Sequence, residues 1–297
     1  MKPEDEIILS CRNLSKTYDN GRIRTKVLKN VNVAFNKGSI NLIFGKSGSG
    51  KTTLLNILAS LDNASEGEIY YRDKRYGSMN EAARSRLRGQ NFGFVFQAYH
   101  LIPRISIEEN IWCPLYINGQ TMDEEYYEFL VRELGIEDLK KKMPHELSGG
   151  EQQRVAIARA MILKPKVIFA DEPTGNLDSE NTRLITDLFQ KLNKEYHTTF
   201  IIVTHEENLM EECDQWIRLK DGEIVIESQE KAVCQIGSDV DRRQQKTSFY
   251  FYAFRCHRLF VFVCGQFTDT DDHQNYAGRC GQQVWKIFDG DTGYQCR

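Results

Sequence analysis

A chain of 297 residues has room for one large domain or two small ones. Its hydrophobic content of 40% and charged content of 27% support a packed core and exclude wholesale disorder. The 39 basic and 42 acidic side chains leave a formal net charge of -3, which excludes the basic surplus of a general nucleic-acid binder, so no nucleic-acid partner is expected.

The first residues, "MKPEDEIILS", are acidic and hold no apolar run of signal-peptide length. The first strong element is "INLIF" at 40–44, apolar throughout rather than alternating, as in a strand buried on both faces. "VIFA" at 167–170 and "TFIIVT" at 199–204 read the same way. Amphipathic helices accompany them, "GKTTLLNILASL" after the first strand and "NTRLITDLFQKLNKEY" before the last. Strands alternating with helices predict a mostly parallel sheet covered on both faces, an α/β fold. Between about 98 and 160 the pattern turns helical, "TMDEEYYEFLVREL" being clearest, which predicts an inserted helical subdomain. "WIRLKDGEIVIES" at 216–228 predicts a hairpin turning at Asp221-Gly222 and closing a domain of residues 1–228.

Directly after the first buried strand, "GKSGSGKTT" sets Gly45, Lys46, Ser47, Gly48, Ser49, Gly50, Lys51, Thr52 and Thr53 in the order G-x-x-x-x-G-K-[ST] of a phosphate-binding loop. The glycines let the backbone wrap an anion with its N–H groups inward, and the helix start that follows adds positive partial charge. Lys51 reaches the β and γ phosphates, and the Thr52 hydroxyl suits magnesium. The strand "VIFA" runs into Asp171-Glu172, placing two carboxylates at the sheet edge where ligands of such folds bind. Asp171 is the candidate magnesium ligand, and Glu172 the candidate general base for an attacking water.

"LSGGEQQRVAIARA" at 147–160 holds no nucleophile, base or metal ligand. Ser148 and Glu151 have the S-x-x-E spacing of a capping box, so a helix should start at Ser148 and bury Val155, Ala158, Met161 and Ile162. Gly149 and Gly150 leave the amides of that start unshielded, a docking point for an anion. The phosphate loop is already complete without this turn, so the turn is expected to serve a phosphate held by a different molecule.

With these motifs the chain resembles the ATP-binding subunits of ATP-binding-cassette transporters over about residues 6–228, most specifically through "LSGGEQQR". The resemblance implies a P-loop NTPase (RecA-like) core with an inserted helical subdomain, ATP and Mg2+ as ligands, and ATP hydrolysis that engages Lys51 and Glu172. It implies that Tyr18, in "LSKTYDN", stacks on adenine, and that Gln97, in "FVFQAYHLIP", senses magnesium and the lytic water. It further implies that Asp178, closing "GNLD", sits on a loop crossing a dimer seam, and that His205, in "IIVTHE", meets the γ-phosphate.

Within the family, "FGKSGSGKTTLLNILASLD" and "DEPTGNLD" are similar to the branch of lipoprotein-releasing, macrolide- and peptide-exporting, and cell-division ATPases. That branch implies a homodimer at the cytoplasmic face of the plasma membrane, powering a separate integral membrane permease. Export or extraction of a peptide, lipid-linked or drug-like substrate is the expected outcome. The alternative is an ATP-driven switch of cell-division type that acts on a membrane partner without transport.

Residues 229–297 depart from the family pattern. Cys11, Cys113 and Cys213 are scattered through the cassette, as thiols in a reducing cytosol are, whereas Cys234, Cys256, Cys264, Cys280 and Cys296 crowd the tail. "FYFYAFRCHRLFVFVCGQF" at 249–267 carries Arg255 and Arg258 near its middle and is rejected as a membrane span. The spacing of Cys256, His257, Cys264, His273 and Cys280 lacks the paired C-x-x-C of zinc sites. The tail reads as an appendage to the cassette, with a regulatory or permease-docking extension as the alternative.

Overall fold

The structure is a computed structural model that describes residues 6–19, 21, 23–175, 177–206, 209 and 213–225, together with the backbone of 249–256 and 259–266. The chain divides into two units, Met1–Glu227 and Ser228–Arg297. The first opens with two long strands, β1 (Ile7–Asp19) and β2 (Arg24–Asn36), then β3 (Ile40–Phe44) and α1 (Lys51–Leu58). After β4 (Glu66–Tyr71) and β5 (Lys74–Arg75) come α2 (Glu81–Asn91) and β6 (Phe92–Val95). Three helices follow without an intervening strand: α3 (Ile107–Asn118), α4 (Glu124–Glu133) and α5 (Gly149–Met161). The chain returns through β7 (Val167–Asp171), α6 (Ser179–Tyr196) and β8 (Thr199–Thr204) to the pair β9 (Gln215–Lys220) and β10 (Glu223–Val225).

The main sheet runs β10-β9-β3-β8-β7-β6 and is parallel except for β10. β3 is central and wholly buried. Its Ile40 and Leu42, with Ile168 and Ala170 of β7 and Phe200 and Ile202 of β8, join the core under α3 to α6. The alternate residues Ile43, Phe169, Ile201 and Val203 join a second core with α1 and the strands β1, β2 and β4. Burial on both faces is why these strands show no polar alternation in sequence. Phe169 anchors the second core, edge-on to Phe92 at 5.1 Å and stacked on Phe94 at 5.9 Å.

A second sheet, β2-β1-β4-β5, is antiparallel and was not anticipated from the sequence. The β1–β2 register shifts at four places, between Ile7 and Leu9, Cys11 and Leu14, Leu14 and Lys16, and Lys16 and Thr17. Each bulge resets the two-residue period, so no run of alternation survives long enough to be read.

The helical stretch begins later than the sequence pattern suggested. Residues 98–106 form a loop, and α3 starts only after Ser106 and Glu109 cap it reciprocally. Buried Asn110 secures this loop, accepting from the Ile102 amide at 2.7 Å and donating to the carbonyls of Ile102, Ile105 and Ser106. The predicted hairpin is present: Asp221 (φ 51) and Gly222 (φ 83) form the turn between β9 and β10, both left-handed as a two-residue type I′ turn requires. Gly222 then ties three segments together, donating to Ser49 O and accepting from the Lys29 amide.

In the second unit, β11 (Phe249–Cys256) pairs antiparallel with β12 (Leu259–Gln266), Phe249 opposite Gln266 and Cys256 opposite Leu259. The aromatic stretch is thus two strands. The side chains of Cys256 and Cys264, and residues His257, His273 and Cys280, lie outside the described residues.

Candidate nucleotide site

The loop between β3 and α1 is shaped by its surroundings as much as by its own glycines. A Cβ on Gly45 would sit 2.1 Å from Leu219 O of β9, so only glycine fits there. Gly50 is the left-handed N-cap of α1 (φ 101) and offers no side-chain cap. The amides of Lys51, Thr52 and Thr53 therefore have no acceptor among the described residues and point a positive helix end outward. Lys51 is only 7% exposed; its Nζ donates to Gly45 O (2.7 Å) and Lys46 O (3.2 Å) and stands 4.0 Å from Glu172 Oε1. The ammonium is thus fixed at the mouth of the loop that precedes it.

Ser47, Gly48, Gly50, Lys51, Thr52 and Thr53 line an open cleft of about 480 Å³, with Val27, Gln97, Glu172 and His205 completing its walls. Gly45, Lys46 and Ser49 do not line it. Their carbonyls hold Lys51 and the Gly222 turn, so they set the loop's form.

The Thr52 hydroxyl, on the cleft wall, is 3.1 Å from Oδ1 of Asp171, which does not itself line the cleft. Burial pushes the Asp171 carboxyl above its ordinary range, the Thr52 hydroxyl opposing and the neighbouring Glu172 charge adding to the shift. Glu172 leaves β7 with a left-handed backbone (φ 46), held by its amide donating to Val203 O at 2.9 Å. Such a conformation costs about 1–3 kcal/mol for a non-glycine residue and persists where surrounding bonds enforce it. Its carboxylate accepts from the His205 amide at 3.3 Å and lies 2.8 Å from His205 Nδ1 through the same Oε2. Gln97 and Glu172 flank Gly175, on which a Cβ would meet Gln97 Nε2 at 3.3 Å and Glu172 Cβ at 3.6 Å. Half-buried Arg159 of α5 fixes the backbone just beyond Gln97, donating to Tyr99 O and His100 O, each at 2.6 Å.

Four candidate residues lie elsewhere: Ser148, Gly149, Gly150 and Asp178 do not line the cleft. Ser148 and Glu151 cap α5 reciprocally, the Ser148 amide donating to Glu151 Oε2 at 2.7 Å and the Glu151 amide to Ser148 Oγ at 3.4 Å. The Ser148 hydroxyl and then its amide hold the Glu151 carboxyl below its ordinary range. The Gly149 and Gly150 amides have no acceptor among the described residues. Asp178 caps α6 by accepting from the Asn181 amide at 2.8 Å, and Asn181 Oδ1 accepts from Arg154 of α5 at 3.1 Å. The two turns therefore adjoin each other. Tyr18 stands beside the cleft, 45% exposed, its phenol donating to Asp62 Oδ2 at 2.7 Å.

Sequence reasoning missed Val27, Asp62 and the bracing of the loop by Leu219 and Gly222. Only the Asp221-Gly222 turn carried a local signal; the other positions arrive through pairing of distant segments.

Helix-start amides open to one side, an ammonium among them and hard oxygen donors opposite suit a nucleoside triphosphate, and the molecule is by class a P-loop NTPase. Comparison with known proteins narrows the class. The ABC transporter family model matches residues 28–175. The lipoprotein-releasing system ATP-binding protein LolD of Buchnera aphidicola is 43% identical over 222 residues, 74% of this chain and 97% of that protein. The ABC transporter ATP-binding protein MJ1508 of Methanocaldococcus jannaschii is also 43% identical over 222 residues, 73% of this chain and 98% of that one. Among solved structures, the dimeric post-hydrolysis state of the ATP-binding cassette MJ0796 bound to ADP and Pi matches with a TM-score of 0.68 at 38% identity, covering 73% of this chain and 96% of that chain. The chain belongs to the ATP-binding subunits of ABC transporters, and it is an ATPase.

Proposed function

We propose that two copies of this chain close head to tail over two ATP molecules, each held by the Gly45–Thr53 loop of one copy and the Ser148–Gly150 turn of the other. Closure and hydrolysis then drive a permease carried on a separate membrane chain. The observation that carries this reading is the second helix start: α5 offers unbonded amides at Gly149 and Gly150, yet its turn does not line the cleft of its own chain. The relative MJ0796, solved as a dimer with ADP and Pi, supports the same pairing.

Within each cleft, Lys51 and the first-turn amides of α1 receive the phosphates. The Thr52 hydroxyl and Asp171 carboxylate, both hard oxygen donors 3.1 Å apart, fit Mg2+. When bound, the metal supplies charge neutralisation to the phosphate oxygens. Glu172 takes the proton of the attacking water, and His205, hydrogen-bonded to that carboxylate through Nδ1, lines the cleft where the γ-phosphate would lie. Gln97, on the cleft wall, couples the site to the helices that follow it, and Asp178 lies on the seam beside the Ser148 turn. Tyr18 supplies a stacking face for adenine.

A lipoprotein-releasing ATPase among the relatives supports export or extraction of a lipid-linked, peptide or drug-like substrate from a peripheral position at the cytoplasmic face of the membrane. No described helix is long and apolar enough to cross a membrane. The test is the Glu172→Gln full chain with saturating MgATP, its mass followed by light scattering. An ATP-dependent dimer that co-purifies with a membrane permease supports the reading. A protein that stays monomeric with nucleotide, alone and beside its membrane partner, overturns it.

A further inference from the structure

Lys16 is a buried cation with no part in the phosphate chemistry, and its surroundings explain why it is there. Its Nζ donates to Asp62 Oδ1 at 2.8 Å and to Asn63 O at 2.7 Å. The same ammonium stands over the Tyr18 ring, 4.6 Å from the centroid. The Tyr18 phenol donates to the other carboxylate oxygen, Asp62 Oδ2, at 2.7 Å, and the Thr53 side chain bonds to the same phenol. Asp62 thus bridges Lys16 and Tyr18 with its two oxygens. The chain reaches this point by doubling back along α1, the Leu61 and Asp62 amides both donating to Asn56 O.

We infer that Asp62, with Lys16, is a positioning group for nucleotide binding: it locks the Tyr18 ring as a one-sided platform for the base. This rests on the adenine-stacking reading of Tyr18. The tether fixes the phenol end of the ring, and the ammonium occupies one face, so the base takes the other. A cation on one face of an aromatic ring draws density from the opposite face, which favours an electron-rich purine there. Because Asp62 follows α1 directly and Thr53 lies in its first turn, the helix that presents its amides to phosphate also sets where the base platform stands. The rigid ring enters binding with its rotamer already chosen, so less freedom is lost when ATP arrives.

The test measures binding of MgATP and of magnesium tripolyphosphate, which has the phosphates without the base, to the full chain by calorimetry. Removing a base-stacking ring lowers affinity by about tenfold, and Tyr18→Ala should do so for ATP alone. Asp62→Ala should weaken ATP by about three- to tenfold and leave tripolyphosphate unchanged, with Asp62→Asn intermediate because it keeps one acceptor. In the Tyr18→Ala background, Asp62→Ala should add nothing further. Equal loss of both ligands in Asp62→Ala marks general damage to the α1 region and overturns the proposal. Undiminished ATP binding by Asp62→Ala, with Tyr18→Ala still defective, overturns it while sparing the Tyr18 reading. Undiminished ATP binding by Tyr18→Ala sinks that reading and the proposal with it.

Discussion

Two helix starts of this chain, at α1 and α5, are built on opposite plans. The α1 start has a bare glycine cap and three open amides, and Lys51, Gln97, Glu172 and His205 stand around it. The α5 start is capped by its own serine and glutamate, keeps two open amides, and adjoins the Asp178–Asn181 turn. On the proposed reading, a phosphate at α1 would meet the Lys51 ammonium and face Glu172, whereas one at α5 would meet the Gly149 and Gly150 amides and the Ser148 hydroxyl. In the proposed closed dimer, charge and strain gather at the start where hydrolysis would occur, and the other start would recognise without reacting. The left-handed Glu172 belongs to the first plan and the relaxed capping box to the second.

The sharpest way to break this contrast is Glu172→Gln. Loss of a general base should lower phosphate release by about 10²–10⁴-fold while ATP still binds, and an undiminished rate would move the chemistry away from α1. Next in size is a pair of glycine substitutions. Gly45→Ala forces a methyl against Leu219 O and should weaken ATP binding by about tenfold. Gly150→Ala comes nearest to the Asn181 side chain, at 3.3 Å, and should leave ATP binding to the single chain intact while loosening the dimer. Equal effects of the two on calorimetric ATP affinity would erase the distinction between the starts. Ser148→Arg, placed in the Glu172→Gln background, should abolish the nucleotide-dependent dimer with ATP affinity held within about twofold, read by light scattering and calorimetry.

The smallest effect concerns the cap itself. Glu151 has its carboxyl held below the ordinary value of 4.5 by the Ser148 hydroxyl and amide. A lowered folded value means stability that is present above 4.5 and is lost as the pH falls through the folded value. Glu151→Gln should therefore lower Tm by about 1–2 °C at neutral pH, and the difference from the parent should vanish in acid. A constant difference across that range would show that the carboxylate contributes nothing to the cap.

Much of the first plan was legible because it is written in contiguous residues. The Gly45–Thr53 loop, the buried strands around it and the Asp171-Glu172 pair each announce themselves within a dozen positions. The Ser148–Glu151 spacing announced the α5 start equally well. The antiparallel sheet escaped notice because its register shifts break the alternation that marks a strand. Residues 98–106 fall within the stretch whose pattern turns helical, yet they form a loop. Asn110 instead holds that loop by hydrogen bonds from one side chain.

The sequence by itself determined the phosphate loop, the alternation of the buried strands with their helices, and the Ser148 cap of α5, because hydrogen bonds and periodicity within one segment are set by neighbours along the chain. Only the tertiary structure decided that Val27 walls the cleft, that Asp62 grips Tyr18, that Leu219 leaves room for nothing but glycine at 45, and that His205 turns its Nδ1 to Glu172. Those relations join residues far apart in the chain. No local period encodes them, and they exist only once two cores have packed against opposite faces of one sheet.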